Sequence, residues 1–194
     1  ARHIEAKATL QVADLVPTAG PLDNDVADPV AELDRRCVWL EVPGFGDVYC
    51  RCVGDPVDGE LLLFVHGSGP TNSSTFWNDV VWELAVRDHA TPYYMVAIDC
   101  PGYGRSPGDR QTIRSLPGQF LTAVVNALGF RQALCLIGSS QGACSVFNAT
   151  LENPAITRHV TVVHPVGHDV FRYSAIKQPC LLIFDTEDAG HPVK

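Results

Sequence analysis

Apolar residues follow two alternating periods along the chain from about residue 36 onward. Short runs of strand-forming residues alternate with segments in which apolar residues recur every three or four positions, as in amphipathic helices. The first two runs flank a Pro- and Gly-containing turn over residues 43–47, which predicts an antiparallel hairpin. The remaining runs predict a mostly parallel sheet covered by helices on both faces, an α/β fold. The predicted strands span residues 37–42, 48–53, 61–65, 93–98, 134–138, 159–163 and 179–184.

Three helices are predicted between these strands. Ser73 or Ser74 can cap the first helix, and Gly129 stands where a C-terminal glycine cap of the second belongs. The third helix follows Gly142 and ends near Pro154. The predicted apolar faces of the first two helices consist of Phe76, Trp77, Val80, Val81, Leu84 and Ala85, and of Phe120, Leu121, Val124, Val125 and Leu128, respectively.

Residues 1–35 lack this regular pattern and are predicted to form an N-terminal extension to a domain over residues 36–194. Residues 1–12 could form a short strand or a frayed helix. Residues 17–29 are polar, acidic and interrupted by Pro and Gly, which favours a loop on the surface. The simplest interpretation of the extension is a passive tail.

Three loops of small and polar residues directly follow predicted strands, over residues 66–70, 99–106 and 138–142. Ligands of parallel sheets bind beyond the carboxyl ends of the strands. We therefore expect the three loops to meet at one edge of the sheet and to form the functional site there.

The loop over residues 138–142 has the pattern Gly-x-Ser-x-Gly, with Ser140 at its centre. A strand that enters a helix through so tight a turn has no room for side chains at Gly138 and Gly142. Such a turn strains its central residue, and strain is often found at reactive centres. An ordinary Gly/Ser turn would give the same five-residue pattern. The preceding strand and the following helix favour a reactive serine, and Ser140 is the candidate nucleophile.

The composition fits one globular domain. The chain has 194 residues, of which 46% are hydrophobic and 19% charged, enough for one core and too few for two full domains. The net charge of −8 and the absence of Lys/Arg clusters argue against nucleic-acid or anionic-membrane partners. No apolar run reaches the roughly 18 residues that a membrane-spanning helix needs.

The seven cysteines are scattered and odd in number, so they do not suggest a disulfide framework. This usage fits a reduced, cytoplasmic setting. Cys50 and Cys52 form a C-x-C pair without a second pair at zinc-finger spacing, and their side chains are expected to lie on the same face of a strand. The sequence implies no metal and no organic cofactor. It also lacks the G-x-G-x-x-G and G-K-[ST] patterns, which disfavours nucleotide binding.

Four motifs in their order along the chain resemble those of the α/β-hydrolase superfamily, and the resemblance covers about residue 36 to the end. His66-Gly67 resembles the oxyanion loop, and Gly138-Ser-Ser140-Gln-Gly142 resembles the nucleophile elbow. Asp99-x-Pro-Gly-x-Gly-x-Ser106 resembles the turn after the fourth strand. Asp188 stands where the acid after a late strand belongs. The resemblance implies a three-layer fold, an esterase-like activity and a Ser/His/Asp triad.

A narrower resemblance is to the small, lidless abhydrolase-domain-fourteen group. It is carried by the stretches over residues 98–104 and 117–128 and by the short segment after His164. It implies a fold without a large lid, and residues 164–179 leave no room for one.

The resemblance implies roles for five residues. Ser140 is the nucleophile, His191 the base, and Asp188 the acid that orients the base. The two N–H donors that the oxyanion needs are expected to be the backbone amides of Ser68 and Gln141. His66 and Asp99 are expected to be structural, with His66 bracing the loop and Asp99 binding nearby amides.

Alternatives to the acid and the base remain open. Asp185 and Glu187 also follow the last strand. His164 and His168 are alternative bases if His191 cannot reach Ser140, whereas His3, His89 and His159 resemble surface or edge residues. Only three positions separate Asp188 from His191, although the family supplies these two groups from different strands. We therefore expect residues to be missing between Asp188 and Ala189 and after Lys194.

The leading hypothesis is a serine hydrolase of small or medium acyl esters or thioesters, acting through an acyl-enzyme. Water, a thiol or an amine would accept the acyl group, and the partner is a small-molecule acyl substrate. The alternative is a binding or scaffold protein of the same fold with a degenerate triad. A haloalkane-type reaction is disfavoured because it requires Asp, not Ser140, at the centre of the elbow.

Overall fold

A computed structural model describes residues 22, 26–87, 92–109, 116–166, 173–185 and 187. Within them seven strands form one sheet in the order β1-β2-β4-β3-β5-β6-β7. All seven predicted strands are confirmed, with ends that differ by at most two residues. The strands are β1 Cys37–Val42, β2 Gly46–Gly54, β3 Glu60–Val65, β4 Tyr93–Ile98, β5 Ala133–Ser139, β6 Thr157–Val163 and β7 Cys180–Ile183.

The sheet combines an antiparallel end with a parallel body. Strand β2 pairs antiparallel with β1, as the predicted hairpin requires, and also antiparallel with β4. Strands β3 to β7 pair in parallel. Their carboxyl ends therefore lie at one edge of the sheet, where the expected site would be.

Helices cover both faces of the sheet, which confirms the α/β class. They are α1 Pro29–Asp34, α2 Asn78–Ala85, α3 Gly118–Ala127 and α4 Gln141–Glu152, with short 3-10 helices at Ser74–Trp77, Pro154–Ile156 and Tyr173–Ala175. One core cluster lies between the sheet and α3 and α4, and a second lies between the sheet and α1 and α2. In the part of the chain that the structure describes, every helix is too short or too polar to cross a membrane.

Helix α3 follows its predicted pattern closely. All five apolar residues predicted for its buried face are buried. Gly129 has a φ of 85° just beyond the helix end, in the left-handed region that a glycine cap adopts. At the other end, a Cβ on Gly118 would lie 2.4 Å from the carbonyl oxygen of Asn148 in α4, so glycine lets the two helices approach closely.

The predicted apolar face of the first helix is only partly correct. Trp77 and Val81 are buried, but Phe76 and Val80 are 48% and 44% exposed. The first turn, Ser74–Trp77, is a 3-10 helix capped by the hydroxyl of Ser73. A 3-10 turn has three residues instead of 3.6. Phe76 lies within this tighter turn and so departs from the face that an α-helical period predicts, whereas Val80 lies in α2.

The surface-loop prediction for residues 17–29 is wrong at Leu22. Leu22 is buried, and it belongs to the same core cluster as Leu33 of helix α1. Asp28 caps α1 by accepting a hydrogen bond from the amide of Ala31 at 3.0 Å. Part of the predicted extension therefore packs on the sheet, because its two leucines bury apolar surface against the second core cluster.

Candidate active site

Ser140 occupies a strained turn between β5 and α4. Its φ of 52° and ψ of −117° lie outside the regions that a residue with a side chain favours. Its amide donates a hydrogen bond to the carbonyl of Val163 at 3.0 Å. A Cβ on Gly138 would lie 2.7 Å from the carbonyl oxygen of Gly142, so the turn closes only around glycine. The predicted lack of space at this glycine is confirmed.

The loop after β3 packs directly against this turn. A Cβ on Gly142 would lie 2.4 Å from the carbonyl oxygen of Val65 and 2.5 Å from that of His66. A Cβ on Gly67 would lie 2.9 Å from the Cβ of Ser140. Two of the three loops predicted to converge therefore meet at Ser140, where Gly67 and Gly142 permit their close approach.

His66 braces the loop, as predicted for a structural residue. The ring is fully buried, and its Nε2 accepts a hydrogen bond from the amide of Cys100 at 3.0 Å. Nδ1 therefore carries the proton and donates to the carbonyl of Gly67 at 2.5 Å. The neutral ring thus joins the loop after β3 to the loop after β4.

Acid is expected to weaken this brace. Burial lowers the pKa of His66 below its usual 6.5, although the Gly67 carbonyl and Asp99 oppose the shift. The unfolded chain then binds a proton near pH 6.5 that the folded protein binds only at lower pH. The contribution of His66 to the free energy of unfolding is therefore complete above pH 6.5 and falls as the pH drops towards the folded pKa.

Urea unfolding between pH 8 and pH 5 measures this effect. We expect a His66→Gln variant to lose less of its unfolding free energy over that range than the wild type. Equal pH dependence of the two proteins would contradict the assignment.

The turn after β4 is held by a buried carboxylate. Asp99 accepts hydrogen bonds from the amide of Ser74 at 2.6 Å and from the amide of Arg105 at 2.8 Å. A Cβ on Gly104 would lie 2.0 Å from the same carboxylate. The hydroxyl of Ser106 in turn accepts a hydrogen bond from the amide of Tyr49 at 2.8 Å. The contacts confirm the prediction that Asp99 satisfies nearby amides.

The two predicted oxyanion donors belong to the loop after β3 and to the start of α4. Ser68 is half-buried in the loop that His66 braces, and its carbonyl lies 3.5 Å from the hydroxyl of Tyr103. Gln141 is the first residue of α4. The first amides of a helix have no partner within it, and they carry a partial positive charge. The amide of Gln141 therefore suits an anion beside Ser140, and the role of both residues stays a prediction.

The predicted acid and base, Asp188 and His191, lie outside the described residues, as does His168. Of the competing acids, Asp185 is exposed and accepts a hydrogen bond from the amide of Glu187 at 2.8 Å. This contact is typical of a local turn and leaves the choice of acid open.

His164, one of the two alternative bases, has a backbone conformation that the sequence did not predict. It directly follows β6 and has a φ of 47°. Strands β5 and β6 pair Ser139 with Val163, so His164 is the next residue in register to Ser140. The sequence places a histidine at this strand end, but nothing in its pattern indicates a left-handed backbone there. His159, by contrast, is exposed, as predicted.

Two of the buried cysteines have thiols with raised pKa values. All seven cysteines are free, and Cys50 and Cys52 of β2 both belong to the first core cluster, which confirms that they lie on one face of the strand. Burial, and next the nearby charge of Asp99, raises the pKa of Cys100. Burial also raises the pKa of Cys52 to about 12. These thiols do not compete with Ser140 as nucleophiles near neutral pH, since the thiolate is the reactive form.

Solved structures with the same fold are enzymes of several kinds. A predicted CIB-like hydrolase from Thermoplasma acidophilum has 22% identity and a TM-score of 0.64, covering 80% of this chain and 76% of its own. Naproxen esterase from Bacillus subtilis has 20% identity and a TM-score of 0.55, and the match covers 73% of this chain and 51% of the esterase. An epoxide hydrolase from an endophytic Streptomyces has 29% identity and a TM-score of 0.54, and the match covers 66% of this chain and 36% of the epoxide hydrolase. The chain thus spans about half or less of the last two proteins.

No curated protein matches the chain. The family model described as the alpha/beta hydrolase family matches residues 62–191, which is more than half of the chain. The match includes the loop after β3, the strained turn at Ser140 and the segment after β7. The chain belongs to the alpha/beta hydrolase family.

Proposed function

We propose that the protein is a serine hydrolase that cleaves small or medium acyl esters or thioesters through an acyl-enzyme on Ser140. The observation that carries the proposal is the conformation of Ser140, with a φ of 52° at the carboxyl end of a central strand. Strain at a residue with a side chain persists only when the surroundings impose it. Here Gly138 and Gly142 leave room for the turn and for nothing larger.

The reaction proceeds in two halves. In the first, the hydroxyl oxygen of Ser140 attacks the carbonyl carbon while His191 takes its proton and Asp188 orients the ring. The amides of Ser68 and Gln141 stabilise the oxyanion, and the leaving group departs with the proton from His191. In the second half, His191 again acts as the base while water attacks the acyl-enzyme, and the carboxylic acid product is released.

The chemistry at the centre of the turn supports acyl transfer. A serine hydroxyl forms an ester with the acyl group, whereas the haloalkane-type displacement requires a carboxylate in the same place. Two of the structural neighbours are named esterases, one from Bacillus subtilis and one from Rhodococcus. Between β6 and β7 the chain has only residues 164–179, too few for a large lid. An open site favours small soluble acyl groups. The narrower resemblance to the abhydrolase-domain-fourteen group stays a prediction.

A fluorophosphonate probe tests the proposal. We expect one covalent adduct on the intact protein, located on Ser140 by peptide mapping. Ser139→Ala removes the neighbouring hydroxyl and should retain the adduct, whereas Ser140→Ala should lose it. A folded protein that takes no adduct would favour the binding or scaffold role instead.

A further inference from the structure

The carboxyl end of β6 forms a sharp corner beside the candidate nucleophile. Among the residues that the structure describes, Ser140 and His164 are the two non-glycine residues with positive φ, at 52° and 47°. Strand register places them next to each other at the ends of β5 and β6. Two strained residues side by side indicate that the corner and the turn at Ser140 form one structural unit.

Three contacts hold the corner. The carbonyl of Val163, the residue just before His164, accepts the amide of Ser140 at 3.0 Å. The amide of His164 donates to the carbonyl of Ile183 in β7 at 2.8 Å. Beyond the corner, the thiol of Cys144 in α4 donates to the carbonyl of Val166 at 3.4 Å. The corner is therefore fixed to both neighbouring strands and to the helix that begins after Ser140.

The backbone of His164 sets the direction of the Val163 carbonyl, since both belong to the same peptide unit. A left-handed residue costs about 1–2 kcal/mol relative to an ordinary backbone conformation when it carries a side chain. Histidine is one of the residue types that adopt this conformation more often than most. A residue that rejects it would turn the Val163 carbonyl away from the amide of Ser140.

We propose that His164 is a positioning residue of the serine site. Its left-handed corner fixes the Val163 carbonyl, and this carbonyl in turn holds the backbone of Ser140 in the reactive conformation. The inference rests on the proposed function, because it assigns a role in the reaction of Ser140. It differs from a role for the imidazole as base, since here the backbone conformation acts and the ring does not.

Three variants separate these roles. His164→Asn and His164→Gly accept a left-handed backbone, whereas a β-branched His164→Val does not. We expect kcat for p-nitrophenyl acetate and the rate of fluorophosphonate labelling to fall about ten- to hundredfold in the Val variant, because small misplacements of reacting groups have effects of this size. We expect KM to change less, and the Asn and Gly variants to stay within about threefold of the wild type.

Other outcomes overturn the proposal. If all three variants lose activity equally, the imidazole itself takes part in the reaction. If all three keep it, the corner has no role in the reaction. A loss in the Val variant that only follows its unfolded fraction, measured by near-ultraviolet circular dichroism at the assay temperature, would show a merely structural effect.

Hydrogen exchange at the amide of Ser140 separates the corner from the proposed function. If the wild type has no hydrolase activity and takes no probe, the proposed function fails. The corner itself still predicts slow exchange in the wild type and the Asn variant, with exchange at least tenfold faster in the Val variant. Equal exchange rates at the Ser140 amide in all three proteins would overturn the proposed role of the corner.

Discussion

Ser140→Ala is expected to lower kcat/KM for ester hydrolysis by at least about 10⁴-fold. Alanine removes the atom that forms the acyl-enzyme. Ser139 is buried at the end of β5, and burial raises the pKa of the Cys100 thiol. The measurement is steady-state hydrolysis of p-nitrophenyl acetate by protein that has not been treated with the fluorophosphonate probe.

Ser140→Gly is the matched variant. Glycine adopts a φ of 52° without the steric cost that serine bears there, so we expect it to raise the free energy of unfolding by about 1 kcal/mol relative to alanine. It should be as inactive as the alanine variant. A glycine variant that is no more stable would mean that the turn is not strained. Activity near the wild-type level in either variant would exclude Ser140 as the nucleophile.

Asp99→Ala is expected to lower the free energy of unfolding by about 3 kcal/mol. The carboxylate is buried and accepts the amides of Ser74, in the 3-10 helix, and of Arg105, in the loop after β4. Alanine leaves both amides without this acceptor and opens a cavity beside Gly104. Equilibrium unfolding in urea measures the loss.

Asp99→Asn is the control for the charge. Its amide oxygen can accept one of the two hydrogen bonds, so we expect it to lose less stability than alanine. Both variants should retain the fluorophosphonate adduct at temperatures where they are folded. Loss of the adduct in a folded Asp99→Asn protein would instead give Asp99 a direct part in the reaction.

The strands and the turn at Ser140 could be predicted because local composition determines them. Strands β3, β4 and β5 of the parallel body are runs of mainly apolar residues, and burial on both faces of the sheet requires such runs. Gly138 and Gly142 mark the tight turn because a Cβ at either position would overlap a backbone atom. The structural roles of His66 and Asp99 followed from the same loops.

The remaining features depend on contacts between distant segments. The exposure of Phe76 results from a 3-10 turn. The composition of this segment does not distinguish a 3-10 turn from the predicted α-helical one. Leu22 is buried because α1 packs on the sheet, and a single leucine in a polar stretch gives no periodic signal. The corner at His164 depends on Ile183 in β7 and on Ser140 in the turn after β5, which bind the two ends of the same peptide unit. The choice of acid and base stays a prediction, since Asp188 and His191 lie outside the described residues.

The strand order β1-β2-β4-β3-β5-β6-β7 also sets the order of events during synthesis. Strand β3 lies between β4 and β5, and both of its partners leave the ribosome after it. Until residues 133–139 emerge, one edge of the apolar strand β3 has no partner strand. Unpaired edges of this kind pair readily with other chains. Pairings between distant segments also form slowly. The nucleophile turn follows β5 directly, so its geometry is completed by the same event that closes the centre of the sheet.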